Sequence, residues 1–138
     1  MAGQFGDKDP ITFVIGPLDA TSVAVDRDYF IVPSNAAVGY KAYIQYTKSV
    51  ASTSGTLKIR AISDTSAPGA SASSTVVELL STPLDLSATV AVNTVTTAST
   101  AGVVIKPGSR IATLDGGTLT GLVGLIVTVT LVPVNNEI

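Results

Sequence analysis

Few residues of this chain are equipped for chemistry, and the first of them suggest ligand binding rather than catalysis. Asp7 and Asp9, and again Asp26 and Asp28, stand two apart, which on a strand puts both carboxylates on one face and offers hard oxygen ligands to calcium. Neither pair is followed by the further Asp, Asn and Glu of a recognised calcium loop, so solvated or turn carboxylates are expected and no metal site is assigned. As a general acid and base, such a pair needs a cleft that drives its two pKa values apart, and no second element suggests one. Tyr40, Tyr43 and Tyr46 could offer rings to sugar faces, but on a strand the three do not share a side, and the chain has no Trp. Core and rim positions are the expected places for them. Lys48-Ser49 and Ser109-Arg110 put a hydroxyl beside a base, yet strand neighbours point to opposite faces, which argues against a Ser-Lys dyad. The Gly-rich stretch from Gly116 to Gly124 lacks the lysine and the strand-to-helix setting of a phosphate loop.

The missing residue types narrow the field further. Without His the chain lacks the commonest general base and transition-metal ligand, and without Cys it lacks disulfides, thiolate nucleophiles and sulfur-bound metals. No catalytic residue and no cofactor site is assigned, and an enzyme is not expected. Charged residues are 13% of the chain where about 25% is typical, and the net charge is −2, so long-range steering is weak. The five Lys and three Arg are scattered and form no run, which argues against nucleic acid. The start, MAGQFGDKDP, lacks the cationic-then-apolar order of a secretory signal. The one membrane candidate, Leu119 to Val134, is about 16 residues against the roughly 20 a spanning helix needs, and Gly121 and Gly124 interrupt it.

The elements that must position these residues read as strands throughout. No segment of ten or more residues carries a 3.6-residue apolar stripe, and β-branched residues are dense everywhere. Residues 1–10 read as a flexible arm and residues 11–138 as one β-sandwich domain. Ile11 to Ile15 is a short β run ended by Gly16-Pro17, and Thr21 to Pro33 is strand-like at Val23–Val25 and Tyr29–Val32, with its middle left open. Gly39 to Lys48 and Thr56 to Ile62 both alternate, and the small polar link between them suggests a hairpin. Ser63 to Ser74 reads as an exposed loop, Thr75 to Leu80 as a strand, and Leu84 to Thr96 as the cleanest alternation of all.

The last third organises the rest. Val103 to Ile105 run into Lys106-Pro107-Gly108-Ser109, a type II turn signal that predicts a hairpin with Ser109 to Leu114. In the closing run, Leu122 to Val134, one face carries Val123, Leu125, Val127, Val129 and Leu131, and the other Ile126, Thr128, Thr130 and Val132. One face is fit for a core; the other is only half polar. About eight strands with Gly/Pro/Ser/Thr turns predict an all-β, antiparallel β-sandwich, jelly-roll-like or immunoglobulin-like, with the strand order open.

The turn Lys106 to Ile111, the Thr/Gly-rich link after it and the apolar closing strand resemble the end of small jelly-roll-like virion proteins that decorate or cement tailed-phage capsids. The resemblance covers residues 84–134 and extends to the rest only in general character. It implies a non-enzymatic protein, often a homotrimer, docked on the outer face of the major capsid protein across subunit junctions. It also implies the capsid exterior of the virion as its location, after assembly in the host cytoplasm. Phe5, Asp7 and Asp9 of the arm, with Ile126, Thr128, Thr130 and Val132 of the closing strand, are the expected contacts with capsid or neighbouring subunits. A head-fibre or tail component, or a cell-surface adhesin or sugar-binding module, are the alternatives left open by the residues themselves.

Overall fold

A computed structural model describes residues 9–34, 38–63 and 75–134. The strands are β1 (Ile11–Leu18), β2 (Asp28–Ile31), β3 (Tyr40–Thr47), β4 (Thr56–Ile62), β5 (Val76–Glu78), β6 (Leu84–Asp85), β7 (Thr96–Thr97), β8 (Arg110–Gly116) and β9 (Leu125–Pro133). One helical turn, α1 (Ala20–Val23), follows β1; the Asp19 carboxylate caps it by accepting from the Ser22 amide at 2.9 Å. Among the described residues no helix is long and apolar enough to cross a membrane.

The strands form two antiparallel sheets, ordered β1-β9-β3-β7 and β2-β8-β4-β5, with β6 also paired to β4. Strands cross from sheet to sheet as the chain advances, and the pairs β1·β9, β2·β8, β3·β7 and β4·β5 nest one inside the next, with β4·β5 innermost. That nesting is the jelly roll, and the all-β sandwich expected from the alternation is what forms.

The alternation decides which side of each strand is buried. Leu125, Val127, Val129 and Leu131 of β9 and Ile44 of β3 face Leu57, Ile59 and Ile111 of the other sheet in one core. At the β1/β2 edge the rings of Phe13 and Phe30 stack with centroids 3.9 Å apart and planes 8° apart. β9 lies between β1 and β3, so the closing run is an inner strand of its sheet, paired along both edges.

Several expected pairings give way to others. β3 and β4 are not a hairpin: they lie in opposite sheets, each offering an apolar face to the same core from its own side. The link between them instead bonds to the stretch before β9, with the Ser49 amide on Val123 O at 2.9 Å and the Ser54 amide on Thr118 O at 2.9 Å. The Lys106–Ser109 turn does form, with the Ser109 amide on Lys106 O at 3.3 Å and Gly108 at φ +83°, the value a type II turn requires. It carries the chain between sheets, since Ile105 exchanges hydrogen bonds with Tyr40 at 2.7 and 3.0 Å while β8 starts in the other sheet.

Leu84 to Thr96 is mostly irregular despite its alternation. Its only strand residues are Leu84, Asp85 and Thr96, and the backbone turns over at Ala91 and Asn93, both at positive φ. The Asp85 carboxylate accepts from the amides of Ser87 at 2.9 Å and Ala88 at 3.2 Å, which takes those donors out of any ladder. Val23–Val25 is likewise helical turn and bend rather than strand, the regular part of Thr75–Leu80 shortens to β5, and the expected loop lies, apart from Ser63, outside the described residues.

One core position is imperfect. Thr113 on β8 sits opposite Ile59, is 1% exposed, and its Oγ1 has no hydrogen-bond partner. Thr113→Val keeps the shape and removes a desolvated hydroxyl, so it is expected to raise unfolding stability by about 1 kcal/mol. A denaturant titration checks this, and equal or lower stability contradicts it.

Candidate functional site

The two outer faces of the sandwich differ in chemistry. On the β1-β9-β3-β7 sheet, the register sets Thr12 beside Thr130, Val14 beside Thr128, and Lys41, Tyr43, Gln45 and Thr47 beside Val132, Thr130, Thr128 and Ile126. Strand parity points all of these away from the core. Among the described residues of these four strands, Lys41 is the only charged side chain on that face. Val14 is 63% exposed and Tyr43 58%, while Ile126, Thr128, Thr130 and Val132 are half-buried between flanking strands.

Side-chain hydrogen bonds fix much of this face. The hydroxyls of Thr12 and Thr130 meet at 3.0 Å across β1 and β9, Gln45 Nε2 donates to Thr97 Oγ1 at 3.2 Å, and Thr128 Oγ1 donates to Gln45 O at 3.4 Å. At one end, Val95, 67% exposed, and Ile126 border a shallow depression of about 120 Å³ with Gln45, Thr47 and Thr128. Recognition of such a surface would rest on shape and apolar contact, and covering it would cost little side-chain entropy.

The opposite face carries more charge, and much of that charge is paired. Asp28 accepts from Arg110 Nη1 at 2.7 Å, and Glu78 accepts from Arg60. Asp26 accepts from the Asp115 amide at 3.4 Å, and burial, aided by the nearby Asp115 carboxylate, pushes its pKa up. Asp26 and Asp28 therefore have separate partners and do not converge on a shared cation position. Among the described residues no group of three or more acidic side chains could hold a metal ion.

The other candidates are dispersed. Tyr40 is 0% exposed and Tyr46 6%, so both are core residues and only Tyr43 reaches solvent, which removes the three-ring sugar platform. Lys48 is 1% exposed, with Nζ donating to Asp85 O at 3.3 Å and to Val90 O and lying 5.7 Å from the Tyr46 ring centre. It fastens the irregular stretch after β6 to the end of β3, and Ser49 bonds elsewhere through its backbone. Ser109 is buried in its turn, and Arg110 is held by Asp28. The Gly116–Gly124 stretch is turn and link, with Gly117 at φ +70° packed against Ser54 O. Of the arm residues, Asp9 is exposed, and Phe5 and Asp7 lie outside the described residues.

Thr12, Val14 and Val95 also belong to the face, although the sequence alone does not place them there. Alternation in Ile11–Ile15 carried the signal for the first two, but only strand order places them beside Thr128 and Thr130. Comparison with family models, curated proteins and solved structures gives no match.

Burial pushes the Lys48 pKa below 10.5, partly offset by the Asp85 carboxylate. The unfolded chain then holds that proton to higher pH than the folded one, so this group makes stability rise as pH climbs toward 10.5. Asp85 has the opposite origin: the Ser87 and Ala88 donors hold its pKa below 3.8, so its contribution is present above 3.8 and lost as pH falls through the lowered value. Lys48→Met orphans two carbonyls and is expected to cost about 1–3 kcal/mol and to remove the alkaline rise. Asp85→Ala is expected to cost about 1 kcal/mol near neutrality, with the gap closing in acid. Thermal melting across pH reads both; a gap independent of pH contradicts the assignment.

Proposed function

We propose that this chain is a structural virion protein that binds the outer surface of a phage capsid and stabilises it, as a decoration or cement protein. The observation that carries this reading is the outer face of the β1-β9-β3-β7 sheet, broad, fixed by its own hydrogen bonds and bearing one charge. Two further points support it: the closing third resembles that class of protein, and the jelly roll recurs in viral capsid proteins. The second is an analogy of fold, which many functions share.

The mechanism is a binding linkage. A protein that fits the assembled lattice and not the separated subunits shifts the equilibrium toward assembly by its binding free energy. Many modest contacts repeated over a symmetric shell give high total occupancy without a highly charged interface. With Lys41 the only charge among the described residues of the face's strands, attachment through it depends little on ionic strength, unlike docking through salt bridges.

The test mixes the purified protein with undecorated capsids of the virus that encodes it. Co-sedimentation and a raised capsid melting temperature are expected, both persisting in molar salt. Thr128→Lys with Thr130→Lys is expected to lower capsid affinity by about tenfold or more while the free protein keeps its fold, because two cations must be desolvated at the contact. No co-sedimentation and an unshifted melt sink the proposal, and so does undiminished binding by the double variant.

A further inference from the structure

The sheet edges of this molecule are not alike. β7 and β6 are two residues long, β5 is three and carries Glu78, and β2 is four, starts at Asp28 and is bulged before Phe30. Short length, charge and bulges are how sheet edges avoid pairing with other chains. β1 has none of these over Ile11–Ile15: those five residues carry no charge and run in unbroken register with β9, which shifts only after Ile15. Among the described residues nothing pairs with its other side. That side presents a row of backbone donors and acceptors.

We propose that the free edge of β1 pairs with β1 of a second copy of this chain, antiparallel, about a two-fold axis at Phe13. The sequence of the edge selects this occupant. Ile-Thr-Phe-Val-Ile is nearly palindromic in character, so the pairing sets Ile11 opposite Ile15, Thr12 opposite Val14 and Phe13 opposite itself. This register uses all five residues and leaves Gly16-Pro17, where Pro17 lacks a donor, outside the ladder. Residues of equal parity meet, so both copies keep Ile11, Phe13 and Ile15 on the core side. No like charges are brought together. Half-buried Ile11 and Phe13 gain cover, and exposed Val14 gains a β-branched neighbour. The two four-stranded sheets become one of eight, and their sparsely charged outer faces become continuous.

Sedimentation velocity on the full chain tests this without any capsid, so its outcome is separate from that of the capsid mixing. A species of twice the 13.9 kDa protomer mass is expected. Thr12→Lys with Val14→Lys alters two exposed side chains; it removes the Thr12–Thr130 hydroxyl contact and so is expected to lower protomer melting only slightly, while weakening dimerisation at least about tenfold through like charges facing across the pair. The chain has no Cys, so an equimolar mixture of the Thr12→Cys and Val14→Cys proteins is expected to oxidise to a covalent dimer that neither forms alone. A monomer at every concentration, a trimer, or a dimer indifferent to the lysine pair overturns the proposal. Loss of the dimer without bridging between positions 12 and 14 overturns the Phe13 register.

Discussion

The pairing of β9 with β1 on one side and β3 on the other is the interaction on which the rest depends. It joins the first long strand to the last, closes the outermost turn of the roll, and places Leu125, Val127, Val129 and Leu131 at the centre of the core. With no disulfide available, this ladder between distant parts of the chain and the apolar burial beneath it do the work that disulfides do in many small secreted folds. Such pairing is non-local, so the two ends of the sandwich must meet before the core is complete.

The same pairing makes the outer surface what it is. An inner strand flanked on both sides holds its outward residues in a fixed lattice, which is why Ile126, Thr128, Thr130 and Val132 are half-buried rather than free. Polar atoms on this face are largely occupied by one another, as at Thr12 with Thr130 and Gln45 with Thr97. The charged residues that could specify a small ligand lie instead on the far sheet, where Asp28 and Glu78 are already paired with arginines. The proposed contact surface rests on that division.

The sequence revealed strand faces well and strand neighbours poorly. In β3 and β9 the period of two is explicit, and every residue assigned to one side of the closing strand from Leu125 to Val132 is found there. Period says nothing about which strand lies alongside, so β3 and β4 looked like a hairpin although the core separates them. Alternation also misled in Leu84 to Thr96, where the Asp85 carboxylate and the buried Lys48 ammonium draw backbone groups out of any ladder. The Lys48 contact joins residues 37 apart and leaves no local trace. The chemistry-bearing pairs resolved the same way: Asp26 and Asp28 share a strand-like spacing but answer to Asp115 and Arg110, partners more than 80 positions away.

The central claim is that the β1-β9-β3-β7 face meets the scaffold. Hydroxyl-radical footprinting of the protein, free and bound to particles, addresses it directly, because Tyr43 at 58% exposure lies on that face and Ile31 at 66% on the opposite sheet. The account predicts that labelling at Tyr43 and Val14 drops on bound particles while Ile31 stays as reactive as in solution. Protection at Ile31 with Tyr43 unchanged would contradict it.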